Sequence, residues 1–289
     1  MHLLLFGCGF AGKALARRVL GEGWRVSAAL RRLEARQEAE QAQIQALDAG
    51  NLDALAEAVR VADAILITAP PGPGGCPGFS ALSPILLNGP TRAQWIGYLS
   101  TTGVYGDHAG RWVFETSTAK AQSIEGARRA GAEHDWLGLA QRTGLNVAVF
   151  RLPGIYGPGR SALDRVRDGT AHRWVKPGQV FSRIHVEDLA AGLRASLARP
   201  RAGAVYQLCD DEPAPADQVT AFAAALLGME PPSERPYDEQ TASPALRRFY
   251  GENKRVSNAL AKAELEWRPA YPSYREGLRA VLAAETSWP

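Results

Sequence analysis

Met1-His2-Leu3-Leu4-Leu5-Phe6 runs into Gly7-Cys8-Gly9-Phe10-Ala11-Gly12, and Lys13-Ala14-Leu15-Ala16-Arg17-Arg18-Val19-Leu20 follows. The first stretch reads as a strand, and the last has the apolar spacing of an amphipathic helix. A G-x-G-x-x-G between a strand and a helix is the fingerprint of a dinucleotide site. Gly7 lets the chain turn sharply off the strand, and Gly9, lacking a Cβ, lets a pyrophosphate approach the backbone. Gly12 lets the helix pack close to the strand. The N–H groups that open the helix carry partial positive charge, so Phe10 and Ala11 join the three glycines as cofactor-binding candidates. A chain with 29 glycines also produces this pattern by chance, and its place at the end of the first strand selects the nucleotide reading. Leu4 to Cys8 faintly resembles a lipoprotein cleavage site, but no basic segment precedes it and the apolar run is short.

At 289 residues the chain is long enough for one large domain or two unequal lobes. A hydrophobic fraction of 46% and a charged fraction of 22% are those of a soluble globular protein. No apolar run approaches the ~18 residues of a membrane span. A net charge of +3 without a Lys/Arg block gives no sign of nucleic-acid binding. Cys8, Cys76 and Cys209 are widely spaced, which fits a reducing cytoplasm better than a disulfide framework, and there is no Cys/His cluster with metal spacing. Cys8 sits in the phosphate loop, where N–H groups would lower its pKa; the alternative is a small residue that merely fits.

Further along, Trp24 to Leu30 reads as a second strand ending at Arg31-Arg32. An NAD site usually carries an acid at this strand end for the ribose hydroxyls, whereas a guanidinium there pairs with a 2′-phosphate. The arginines therefore favour NADP(H) over NAD(H); the alternative is two surface residues opening a helix. Helical spacing over 33–42 and 51–61 alternates with strands at 44–47, ending in Asp48, and at 63–69. The second of these runs into a Pro/Gly loop, and Ala69 and Pro70 at its end join Asp48 as cofactor candidates. A helix around 85–93, a strand over 95–100, a helix over 127–142 and a strand over 146–151 complete the alternation. That order argues an α/β, Rossmann-type doubly wound parallel sheet. Beyond Leu152 the texture changes to loop chemistry at Pro153 to Arg160, a helix at 161–167, a strand-to-helix turn at 181–197, a strand at 205–209, and helices at 215–227 and 274–284. We expect an NAD(P)-binding domain over 1–155, with 180–205 returning to it. A smaller C-terminal α+β substrate lobe would comprise 156–179 and 206–289.

Several stretches together resemble the extended short-chain dehydrogenase/reductases, the NAD-dependent epimerase/dehydratase family. They are GCGFAG at 7–12, STTGVYG at 100–106, RLPGIYGPG at 151–159, RIHVEDLA at 183–190, and RVSN at 255–258 with LEWRP at 265–269. The likeness spans nearly the whole chain and is most similar to an atypical, YeeZ-like subgroup. It implies that Thr101 holds the substrate oxygen facing the nicotinamide, with Pro153 against the cofactor. It also implies a Tyr-x-x-x-Lys whose phenol moves the proton. In this helix Glu125 stands where Tyr belongs and Arg129 where Lys belongs, and residues four apart share a face. Either Glu125 is the base of an altered chemistry, or the two form a helix salt bridge.

Tyr105 and Tyr156, at strand ends, are candidates to supply a phenol from the substrate side, and Arg160 and Arg183 to hold an anionic substrate group. His185, in a strand-to-helix turn, is expected to bond backbone. Phe181 stands where sugar-nucleotide enzymes of the family often carry an arginine. The expected activity is an NADP(H)-dependent oxidoreductase or epimerase acting on a small polar, sugar-derived molecule in the cytoplasm. The alternative is a non-catalytic NADP(H)-binding redox sensor. Many members of the family dimerise through a helix pair, which makes a homodimer possible.

Overall fold

Every residue from His2 to Phe6 is buried, as expected for a parallel strand with helices on both faces. The two-residue period of a strand then divides the run: Leu3 and Leu5 enter one core, Leu4 and Phe6 the opposite one. The computed structural model, which describes residues 1–286, builds outward from this strand. In chain order the first half comprises β1 (His2–Phe6), α1 (Phe10–Gly21), β2 (Arg25–Leu30), α2 (Leu33–Gln41), β3 (Gln45–Asp48), α3 (Leu52–Val61), β4 (Ala64–Ile67), α4 (Pro77–Asn88) and β5 (Trp95–Thr101). A 3₁₀ turn at Thr102–Tyr105 leads to β6 (Trp112–Val113), α5 (Ile124–Thr143) and β7 (Val147–Leu152). Then come β8 (Gly154–Tyr156), α6 (Ala162–Arg167), β9 (Arg173–Val175), β10 (Arg183–His185), α7 (Val186–Ala198), β11 (Ala204–Gln207) and α8 (Ala216–Leu226). The chain closes with β12 (Glu234–Pro236), α9 (Pro244–Tyr250), β13 (Arg255–Val256), α10 (Ala259–Glu264) and α11 (Tyr274–Thr286).

Seven parallel strands form the main sheet in the order β11-β7-β5-β4-β1-β2-β3. The chain winds outward from β1 to β3, returns to β4 on the other side, and winds out again. The switch point therefore lies between β1 and β4, and ligands of open α/β sheets bind at the carboxyl ends of such a pair.

Two differences from the sequence reading have physical causes. The helix expected around 85–93 spans Pro77–Asn88, because Pro77 occupies the first turn, where a missing N–H costs nothing. Gly78 lets that turn sit on Ile67, whose Cγ2 would lie 2.7 Å from an added Cβ. Within the expected loop at 153–160, Gly154–Tyr156 pairs in parallel with β10.

A separate core joins α6, α8 and α11 through Leu163, Val166, Ala223, Leu278 and Val281. The chain also returns to the first core: Ala261, Leu265 and Trp267 pack with Leu3 and Leu15, and β11 continues to Gln207 as the sheet's edge. Boundaries at 155/156 and 205/206 thus fall inside β8 and β11. Asp188 ties the tail down by accepting the N–H groups of Ala270 and Tyr271 at 2.7 and 3.0 Å.

Candidate functional site

A cleft of about 790 Å³ opens along the carboxyl ends of β1, β2, β4, β5 and β7. The glycine loop forms its floor. Gly7 has φ +84°, and a Cβ there would lie 2.9 Å from Thr68 Oγ1. Gly9 has nothing within 4 Å of an added Cβ, so its backbone borders open space, and α1 begins there with no side-chain cap. The unpaired N–H groups of the first turn are thus left for a ligand, the arrangement that receives a phosphate. Gly12 lies under the loop, its missing Cβ 3.2 Å from Thr68 Cγ2, where close helix packing requires it. Phe10, Ala11, Ala69, Pro70, Thr101 and Pro153 all line the cleft. Cys8 lines it too, but burial pushes its thiol up, opposite to the lowering that the loop's N–H groups would produce.

Arg31 and Arg32 line the end of the cleft beside β2. Both are exposed, and among the described residues neither has a carboxylate within 4.0 Å. Asp48, a cofactor candidate from the sequence, is turned away. One oxygen accepts the Gly50 N–H at 2.9 Å and the other lies 3.2 Å from Arg36, leaving Ala49 to line the cleft.

At the opposite end, Thr101 Oγ1 accepts the Gly103 N–H at 3.1 Å, capping the 3₁₀ turn and leaving the hydroxyl proton free to donate. Arg129 reaches the same wall of the cleft, donating to the Leu99 carbonyl and, at 3.4 Å, to the Tyr98 hydroxyl. The expected Glu125–Arg129 salt bridge does not form. Glu125 is exposed and lies 3.9 Å from Arg248 of α9, because each member of the pair has a nearer partner on a different element. Thr101 and Pro153 are shared with an adjoining cavity of about 600 Å³, which Glu125, Ser123, Phe181, Arg248, Phe249 and Lys254 also line. Lys254 is occupied, donating to the Gly106 carbonyl at 2.8 Å and to Glu252. Arg248, Phe249 and Lys254 were missed because residues 236–256 carry no periodic pattern; the clustered aromatics and arginines were their only signal.

The two tyrosines face away from the cleft. Tyr105 is fully buried, its hydroxyl accepting from Arg151 Nη1 at 2.8 Å and Gln207 Nε2 at 2.7 Å, and burial pushes its pKa up to about 12. Arg151 also forms a buried ion pair with Glu133 at 2.7 Å, and Ser100 Oγ donates to Glu133 at 2.5 Å. This network fixes α5 against β5 and β7. Tyr156 points toward α11, its hydroxyl 1.9 Å from where a Cβ of Gly277 would stand, and burial raises its pKa. It borders a third cavity, in the second lobe, shared with Arg160 and Arg183. Arg160 stands between lobes, its guanidinium 5.6 Å from the Phe10 ring centroid, and lines both the main cleft and the third cavity. His185 caps α7, its Nδ1 accepting the Glu187 N–H at 3.3 Å, and burial lowers its pKa to about 4.

Among the described residues no group of three His, Cys, Asp or Glu side chains is arranged to hold a metal, and no helix is long and apolar enough to cross a membrane.

No family model matches the chain. A conserved protein of unknown function from Silicibacter pomeroyi is 41% identical over 98% of each chain, and its structure superposes with a TM-score of 0.89. Protein YeeZ of Escherichia coli K12 is 26% identical over 257 residues, 80% of this chain and 85% of YeeZ. The dTDP-glucose 4,6-dehydratase DesIV of Streptomyces venezuelae, solved with NAD and TYD bound, has a TM-score of 0.79 at 19% identity, covering 100% of this chain and 98% of its own. At that identity the likeness is one of fold alone.

Proposed function

Because the chain belongs to one family with the Silicibacter pomeroyi protein, and is a YeeZ-like member of the NAD-dependent epimerase/dehydratase group in fold, we propose that it binds NADP(H) and works as an oxidoreductase or epimerase-like enzyme. Its substrate would be a small polar, sugar-derived molecule. The observation that carries this reading is a single cleft joining the glycine loop and two unpaired arginines at one end to Thr101 at the other. The residues fit the cofactor: open space over Gly9 and unpaired N–H groups at α1 suit a pyrophosphate, and Arg31 and Arg32 suit a 2′-phosphate. When bound, the nicotinamide supplies hydride transfer. Thr101 donates its free hydroxyl proton to the substrate oxygen, Arg129 holds the ribose side of the wall, and Glu125, in the pocket beside Thr101, moves the proton.

A second reading, a non-catalytic NADP(H)-binding redox sensor, is favoured by one observation. Among the described residues neither the cleft nor the Thr101 pocket is lined by a tyrosine, the family's usual proton carrier. Screening small carbonyl and carbinol compounds for cofactor turnover separates the two. The enzyme reading expects turnover that falls steeply in Thr101→Ala and Glu125→Gln with NADPH binding retained. Turnover unchanged in both variants removes these residues from the mechanism, and NADPH binding without turnover across the panel selects the sensor.

A further inference from the structure

Two consecutive hydroxyls close β5, Ser100 and Thr101, and both line the main cleft. They are held in opposite senses. Thr101 Oγ1 accepts the Gly103 N–H, so its proton is free to be donated. Ser100 Oγ instead donates its single proton to Glu133 Oε1 at 2.5 Å. The direction of that bond follows from the partners of Glu133. Its carboxylate is ion-paired with Arg151 Nη2 at 2.7 Å, and Arg151 Nε lies 3.2 and 3.1 Å from its two oxygens. A carboxylate so held only accepts, and the bridging proton is the serine's. The short distance is that of a hydroxyl bonded to a carboxylate.

The bond is locked from behind. Glu133 and Arg151 are 4% and 8% exposed, and Arg151 Nη1 is engaged by the Tyr105 hydroxyl at 2.8 Å and the Glu115 carbonyl at 3.1 Å. Neither can turn away without leaving a buried charge unpaired. With its proton committed, Ser100 Oγ has lone pairs and no donor to offer the cleft. Among the described residues no other hydrogen bond reaches this oxygen. Its place in the wall is equally defined. Ser100 lies between Leu99, whose carbonyl takes the Arg129 guanidinium, and Thr101, and all four residues line the cleft. This is the end remote from the glycine loop and from Arg31 and Arg32, which supply N–H groups and positive charge. An oxygen that only accepts disfavours a phosphate at this end and favours a neutral group carrying an N–H or O–H.

We infer that Ser100 is an acceptor-only contact for the nicotinamide half of the dinucleotide, taking a hydrogen bond from a donor there. That half offers two kinds of donor, the hydroxyls of its ribose and the N–H of its carboxamide. The inference rests on the proposed cofactor reading of the main cleft. It gives the buried Glu133–Arg151 pair a second role: besides fixing α5 against the sheet, the pair keeps the Ser100 proton out of the cleft. Ser100 and Thr101 then present a lone pair and a proton side by side, which fixes the polarity of whatever lies across them.

The test titrates full-length parent and Ser100→Ala proteins with four ligands: NADPH by fluorescence, and NADP+, its 3-acetylpyridine analogue and 2′,5′-ADP by calorimetry. The analogue carries a methyl group in place of the carboxamide N–H2, and 2′,5′-ADP has no nicotinamide half. Ser100→Ala should weaken NADPH and NADP+ about two- to tenfold, the range for one hydrogen bond, and leave 2′,5′-ADP unchanged. If the donor is the carboxamide, the analogue binds both proteins equally; if it is the ribose, the analogue weakens as NADP+ does. Should Ser100→Ala fail to fold, Ser100→Cys, whose thiol is a weak acceptor of similar size, should give the same pattern. A folded variant that binds NADPH as tightly as the parent overturns the inference. So does an equal loss for NADPH and 2′,5′-ADP, the result of a purely structural serine. NADPH binding that Ser100→Ala leaves intact sinks the Ser100 contact alone, whereas a parent protein that binds neither dinucleotide sinks the cofactor reading and the contact with it.

Discussion

Adding one methyl group to Gly7 and, separately, to Gly9 should produce opposite phenotypes. At Gly7 the backbone φ of +84° is strained for any residue with a Cβ, at about 1–2 kcal/mol. The new Cβ would also stand 2.9 Å from Thr68 Oγ1 and 3.1 Å from the Ala69 nitrogen, an overpacking worth about 1–3 kcal/mol. Gly7→Ala should therefore lose about 2–5 kcal/mol of stability, a large share of the 5–15 kcal/mol typical of a folded domain. At Gly9 the backbone is extended, with φ −80° and ψ −168°, and the methyl meets no protein atom within 4 Å. Gly9→Ala should cost at most about 1 kcal/mol, through the poorer helix cap. The same methyl fills the space where a pyrophosphate would lie, and about 1–3 kcal/mol of crowding there weakens NADPH about five- to a hundredfold. Urea denaturation followed by tryptophan fluorescence reads the first effect, and NADPH titration reads the second. A Gly9→Ala protein that binds NADPH as tightly as the parent would refute the placement of the phosphates.

Three further predictions test the surroundings of the site. Tyr105→Phe should lose about 1–3 kcal/mol in denaturant unfolding, because Arg151 and Gln207 lose a buried acceptor, while nucleotide affinity stays the same; weakened binding would return Tyr105 to the site. Glu133→Gln leaves the buried Arg151 without its anion and should cost about 3–5 kcal/mol, and a loss below about 1 kcal/mol would contradict the pairing. Asp210 is held protonated by burial, its pKa raised to about 8, so the folded protein binds a proton that the unfolded chain releases between about pH 4 and 8, and stability falls as pH rises through that window. Asp210→Asn should accordingly be more stable than the parent at pH 8, with the difference shrinking toward pH 4; a difference that stays constant with pH in unfolding curves would contradict the burial of an acid there.

Much of the first lobe was legible because its signals are local. Leu3 to Phe6 carry the strand, the glycines carry the loop, and the alternation of apolar periods carries the sheet. The C-terminal lobe hid more, since β9 and β12 are three residues long and β6 and β13 two, too short for any period to register. Side-chain partners were the least legible. Glu125 and Arg129 do share a helix face, but Arg129 turns to the Leu99 carbonyl and Glu125 to Arg248, more than a hundred residues downstream. Tyr105 follows β5 as a strand-end residue should, yet the 3₁₀ turn folds it back under Gln207. Asp48 fell to a similar effect: its carboxylate is engaged by the Gly50 N–H and by Arg36, neighbours that the strand-end position does not announce.

The main cleft is proposed to hold NADP(H) through Arg31 and Arg32. Titration of the full-length protein with NADPH and with NADH, read by nicotinamide fluorescence, tests it most directly. Each charge-assisted hydrogen bond to the 2′-phosphate is worth about 1.5–3 kcal/mol, so NADPH should bind at least about tenfold more tightly than NADH, and Arg31→Gln with Arg32→Gln should erase the difference. Equal or tighter binding of NADH, or binding of neither dinucleotide, would contradict it.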